Sequence, residues 1–303
     1  MSKNMQILMR CAFALIVIVI GNYVIVAQNA VTGEWKADLN SEKSDKIHLS
    51  FERRTEKGGR NQMVKSYDFA DLQGLSREQA KNSGAVKFRL AREAGSIDCE
   101  GKFENGKGAG TFRFTPDLQF VSAMKSRGFD FEKNPDKNRG GEDNLTERLF
   151  AAATLNVTTA LADDLRSANF AALDVDDLFK AAIFKIDSKF MAEMKATGFP
   201  NLTLEDLVKA RIFKIDAEYV RQVREMGFEK QEMENLVKLR IFKITPEFIA
   251  EVRSEGLTNL DTEDLVQLRI FNIDAAFIRR AKAESVPLEV GKLVEKRIGV
   301  YGK

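Results

Sequence analysis

The sequence predicts an α+β protein: an N-terminal antiparallel β-meander, closed as a small sandwich or partial barrel, followed by a solenoid-like array of α-helical hairpins. Two periodicities carry that expectation. Between Thr32 and Phe114 apolar residues alternate with polar ones, the period-two pattern of half-buried strands. Further on, AAIFKID at 181–187 returns as ARIFKID at 210–216, LRIFKIT at 239–245 and LRIFNID at 268–274, so that Phe184, Phe213, Phe242 and Phe271 stand 29 residues apart. Internal repetition on that scale marks stacked supersecondary units.

Residues 1–30 precede both regions. Lys3 and Arg10 precede an almost unbroken apolar run, CAFALIVIVIGNYVIVAQNA, and together they have the charged and apolar regions of an export signal, with Ala27 or Ala30 as the cleavage residue. An uncleaved anchor formed by residues 5–27 is the alternative. The expected location is therefore periplasmic or secreted, or else held at the inner membrane. Cleavage would remove Cys11 and leave Cys99 as the sole cysteine, so packing and not a disulfide must hold the fold. Lys and Arg number 47 against 45 Asp and Glu, for a net charge of +2. A balance so close to neutral gives no global field for nucleic acid, and any electrostatic partner must be met by a local patch.

The β domain is expected over 31–130. Ile47, Leu49 and Phe51 share one strand face; Val86, Phe88 and Leu90 share the next; Ile97, Cys99 and Phe103 follow, and Phe112 and Phe114 close the series. EKGGRN at 56–61, REAGS at 92–96 and ENGKGAG at 104–110 supply the Gly and Asn that hairpin turns need. Five or six strands are expected, with a short helix near Ser76–Lys81. Trp35 in the GEW triplet plugs one end of the sheet or lines an apolar ligand cavity behind it.

A polar stretch at 131–144 reads as a loop or linker, and about five two-helix repeats occupy 145–303. Asp187, Asp216, Thr245 and Asp274 are placed to cap first helices. Gly198, Gly227 and Gly256, with Asn169 in the first copy, are placed to close them in the left-handed conformation. Thr203 with Asp206 and Asp261 with Asp264 begin second helices as capping pairs. The IFKI segment leads from one unit to the next, so Phe184, Phe213, Phe242 and Phe271, with Ile241 and Ile244, are expected to be buried where units stack. FVSAMKSRGF at 120–129 matches the first-helix pattern FMAEMKATGF at 190–199, and LTERLFAAATLNV at 145–157 matches the second-helix pattern at 203–215. The array is thus expected to begin before the polar stretch.

The repeat has a Thr/Asp-x-x-Phe/Tyr-Ile/Val entry, a Gly-Phe/Leu turn, a Leu-Thr-x-Glu-Asp-Leu-Val type of second helix and an Arg/Lys-Ile exit. In these it resembles repeats that follow the protease domain in some bacterial membrane metallopeptidases of the β-lactam-sensor type, and that also occur in exported proteins without the protease. The resemblance implies a binding or sensing accessory. It departs from the peptidase at the decisive point: there is no HExxH, and His48 is the only histidine.

Chemistry finds no further foothold. His48 has no ligand partner nearby in sequence, Cys99 has no base beside it, and Gly108–Gly110 lacks the Lys-Ser/Thr of a phosphate loop. No catalytic residue, cofactor or metal ligand is predicted. The candidate binding feature is a basic stripe, Lys209, Arg211, Lys214, Lys238, Arg240, Lys243 and Arg269, which stacking at 29-residue intervals would align. Another protein or an anionic envelope component is the expected partner; a membrane is expected only if the N-terminal segment stays uncleaved.

Overall fold

The computed structural model describes residues 31–39, 45–54, 60–133, 145–199, 201–228 and 232–302. The predicted export signal and most of the polar loop lie outside them. Among the described residues no helix is long and apolar enough to cross a membrane. The chain divides into two compact units between Ile183 and Phe184.

The first unit is built on a seven-stranded, fully antiparallel sheet that curls into a half-barrel. Its strands are β1 (Val31–Asp38), β2 (Lys46–Arg54), β3 (Arg60–Asp68), β4 (Leu72–Gln73), β5 (Gly84–Arg92), β6 (Gly95–Glu104) and β7 (Lys107–Pro116). They lie in the order β3-β2-β1-β7-β6-β5-β4, so two meanders meet where β1 pairs with β7. The predicted short helix is α1 (Arg77–Lys81), begun by a capping box between Ser76 and Gln79.

Every apolar residue that the alternation assigns to a strand face is buried. Trp35 is 0% exposed, with Nε1 donating to the Glu100 carbonyl at 3.1 Å. Its ring lies between Phe88 and Phe103, with centroids at 5.1 and 5.7 Å. Of the glycines in ENGKGAG, only Gly106 serves the turn, beside Asn105, both with positive φ. Gly108 stands inside β7, where an added Cβ would come within 2.8 Å of the Trp35 ring. That glycine makes room for the indole.

Four helices complete the first unit: α2 (Leu118–Lys125), α3 (Leu145–Leu155), α4 (Thr159–Ser167) and α5 (Val175–Phe184). The sheet-bearing unit therefore extends beyond the 31–130 expected from the sequence, because α3 packs on the sheet. Phe150 stacks on Phe112 at 5.3 Å with the rings 4° from parallel, and meets Phe51 and Phe114 edge-on. Arg148 is buried and ties α3 back to the chain after α2 through the carbonyls of Phe131 and Lys133, both at 2.8 Å. α2 packs against α4, joined by Arg127 and Asp163.

The second unit repeats one hairpin. Its first helices are α6 (Ser188–Ala196), α8 (Ala217–Glu225), α10 (Pro246–Ser254) and α12 (Ala275–Ala283). The second helices are α7 (Leu204–Ile212), α9 (Met233–Ile241), α11 (Thr262–Ile270) and α13 (Val290–Arg297). The predicted N-caps all act: the side chains of Asp187, Asp216, Thr245 and Asp274 accept from backbone N–H groups three residues on. Both capping boxes form. Gly198, Gly227 and Gly256 take positive φ where first helices end. Second helices pack on second helices, α7 on α9, α9 on α11 and α11 on α13; first helices do the same for α6 with α8 and α10 with α12.

The junction differs from expectation in one respect. Ile186, Ile215, Ile244 and Ile273 are buried, but Phe184, Phe213, Phe242 and Phe271 are only half-buried, and Ile241 is 51% exposed. Local geometry accounts for this. Phe213 is the C-cap of α7, and Lys214 follows with φ 53°. Ile215 N–H then returns to the Ala210 carbonyl at 2.8 Å and Lys214 N–H to Arg211, the paired bonds of a Schellman ending. This turn swings the Ile after the Lys beneath the helix and leaves the Phe at its rim.

Candidate binding surface

The predicted basic stripe is used largely inside the protein. Arg211 sends Nη2 to the Lys185 carbonyl at 2.7 Å. Arg240 sends Nη2 to Lys214 at 2.6 Å and Nε to Phe213 at 3.2 Å. Arg269 reaches the Lys243 carbonyl at 2.9 Å, and Arg297 reaches Phe271 at 2.9 Å. Each guanidinium also lies over a first-helix ring, Arg211 over Phe190 at 3.7 Å, Arg240 over Tyr219 at 3.9 Å and Arg269 over Phe248 at 3.7 Å. These arginines therefore fasten consecutive repeats. A cation at carbonyls left open by a helix end satisfies acceptors and meets the negative end of the helix dipole, and the ring beneath adds a cation–π contact.

Lys209 and Lys238 are likewise engaged, paired with Glu234 and Glu263 of the following second helix. The Glu234 partner holds the Lys209 ammonium above its ordinary range. Lys214 and Lys243 are the members of the stripe whose exposed side chains make neither an ion pair nor a hydrogen bond among the described residues. Both hold positive φ, as does Lys185 one repeat earlier, at 53°, 52° and 53° for Lys214, Lys243 and Lys185.

Beside these lysines runs a feature the sequence reading did not single out. Ile212, Ile241 and Ile270, the last residues of α7, α9 and α11, are 50%, 51% and 50% exposed. Helical spacing does not give it away, since Ile241 stands four residues after buried Val237, a spacing that shares a helix face.

Burial, reinforced by Asp98, pushes the Cys99 thiol well above its ordinary value, so it stays protonated. His48 is exposed, with Nδ1 beside the Ser66 hydroxyl at 2.8 Å. Among the described residues no three His, Cys, Asp or Glu side chains are grouped to hold a metal ion. No family model matches the chain, and no curated protein matches it.

Proposed function

We propose that this chain is a non-enzymatic exported protein whose helical array is a scaffold for another protein or an anionic envelope polymer, as an accessory to envelope sensing. The observation that carries the reading is the line of half-exposed isoleucines at the ends of α7, α9 and α11, the first two followed by Lys214 and Lys243, which have no ion pair among the described residues. Apolar groups held in water at a regular interval on a rigid stack are what an interface uses. Export rests on the N-terminal apolar run, and the sensing role on the resemblance of the repeat. The near-neutral charge speaks against nucleic acid. The other reading, a small apolar-ligand carrier, has less support, because Phe150 already lies against Phe51, Phe112 and Phe114 on the sheet.

A benzophenone photo-crosslinker placed at position 241, or at position 48 on the solvent face of the sheet, tests the proposal in the full-length protein in its producing cells. A discrete adduct from 241 and none from 48 is the expected result. Adducts of equal yield at both positions, or at neither, would remove the array's binding role.

A further inference from the structure

We propose that the isoleucine ladder of the second unit binds an extended acidic segment of a partner protein, with an apolar side chain at every third residue. This deepens the scaffold reading and rests on it. The first support is that the chain contains a covered version of the same surface. On the 29-residue frame Thr154 of α3 occupies the place of Ile212, Ile241 and Ile270. Thr154 is 1% exposed, lying against β3, an extended strand. Its hydroxyl faces the Met63 sulfur at 3.1 Å; Tyr67 donates to the Thr154 carbonyl at 3.0 Å and Lys65 to Leu155 at 2.9 Å. An extended chain is thus what this fold places over that position, and in the second unit the position is half-exposed.

Charge gives the second support. The residue closing each second helix adopts positive φ, and Asn156, Asn272 and Gly299 are residue types suited to it. Lys185, Lys214 and Lys243 hold the same conformation against the preference of a long side chain. An unfavourable backbone state kept at three successive exposed positions points to use of the ammonium groups, and their sign calls for carboxylates.

Spacing gives the third. Second helices pack side by side, which sets successive rungs about 8–10 Å apart. A polyproline II segment has three residues per turn and rises about 3.1 Å per residue, so side chains i, i+3 and i+6 share one face at about 9.3 Å intervals. A β-strand would turn residue i+3 to the opposite face. The occupant is therefore an acidic polyproline-like stretch.

The probes are a peptide of four Leu-Pro-Glu repeats, a peptide of the same composition with the leucines bunched, and phosphatidylglycerol vesicles, each titrated against the full-length chain. The repeat peptide should bind, and the bunched peptide should bind about tenfold more weakly or worse. Combining Ile212→Ser, Ile241→Ser and Ile270→Ser should cost about tenfold or more. Combining Lys185→Gly, Lys214→Gly and Lys243→Gly should weaken binding and flatten its salt dependence while the protein melts no lower, which separates lost contact from lost folding. Equal binding of the two peptides, or indifference to both sets of variants, overturns the proposal. Binding to vesicles without binding to the peptide overturns it in favour of a membrane surface. Adducts at position 241 with no peptide binding overturn it and leave the scaffold reading standing; no adducts and no peptide binding overturn both.

Discussion

Helices α3 and α9 hold the same place in the repeat, yet two side chains by which α3 meets the sheet are replaced in α9, which packs on α7 and α11. Phe150 in α3, stacked on Phe112, corresponds to Val237; buried Thr154 corresponds to half-exposed Ile241. Both helices have the open carbonyls of their last turn capped from elsewhere in the chain. For α3 the donors are Lys65 and Tyr67 of the sheet. For α9 the donor is Arg269 of the next repeat, which reaches the Lys243 carbonyl, just as Arg240 serves the end of α7. The position that would carry the arginine for α3 holds Ala182. The guanidinium occurs where no sheet residue does its work, so the difference shows one requirement met by two routes: a helix end in a stack needs a donor, and aromatic packing on a sheet or a cationic clamp between repeats can accompany it.

The strongest way to break the comparison is on the sheet side. Phe150→Ala removes a ring that meets Phe51, Phe112 and Phe114, and a large cavity of this kind costs about 3–5 kcal/mol. The single Trp, Trp35, lies in this unit, so the variant should lower the denaturant midpoint of Trp fluorescence far more than Val237→Ala does. Similar shifts for the two would show that α3 is no more tightly held than a repeat helix.

Alkali should separate the units next. Burial raises the pKa of Cys99 and of Tyr67, whose hydroxyl also donates to α3. The folded chain keeps these protons at pH values where the unfolded chain loses them. Stability is therefore full below the ordinary thiol value of 9.0 and falls as pH rises past it, with Tyr67 joining from 10.0. The two together amount to about 3 kcal/mol by about pH 10.5. In the array the comparable group is Tyr219, raised by partial burial from an ordinary 10.0, so its loss begins about one pH unit later. Denaturant midpoints of Trp35 fluorescence should drop before those of far-UV ellipticity as pH passes about 9–10.

Arg240→Ala should act in the reverse sense. It removes two charge-assisted bonds to helix-end carbonyls and the contact with Tyr219 at 3.9 Å. For an exposed group these amount to about 1–2 kcal/mol, read as a lower melting temperature in ellipticity with Trp35 fluorescence unmoved. Arg240→Lys should restore less than half, because an ammonium cannot span two carbonyls and lie flat on a ring.

Which of these features could be read beforehand follows from how far apart their parts lie in the chain. Caps were legible because Asp216 meets the backbone of Tyr219 three residues away, and strand faces because alternation is local. The use of Arg240 inside the chain was not legible because its acceptors lie 26 and 27 residues back, and nothing in periodicity says whether an aligned cation faces outward or clasps its neighbour. The placement of α3 on the sheet was hidden for the same reason. Its sequence obeys the repeat in outline, and what sets it apart is a few single residues, among them Phe150 and Thr154 at positions held elsewhere by Val237 and Ile241, and Arg148 where Asp206 and Asp264 stand.

The smallest expected effect has the opposite sign and bears on why the ladder carries lysine. Lys214 closes α7 with φ 53°, a conformation that costs an L side chain about 1 kcal/mol relative to glycine. Lys214→Gly should therefore stabilise the array by somewhat less than that, since glycine also gains freedom in the unfolded chain. The Arg240 bond to the carbonyl of residue 214 is to backbone and survives the change. Gly227→Ala, at φ 97° with only Arg253 within 4 Å of the added carbon, should destabilise by a similar amount through backbone strain alone. If Lys214→Gly instead lowered the melting temperature, the lysine side chain would be holding the fold, and its conformation would need no outside partner to explain it. A rise would mean that three consecutive repeats keep a less stable residue at an exposed position, which is the pattern expected when an ammonium group is held there for something other than folding.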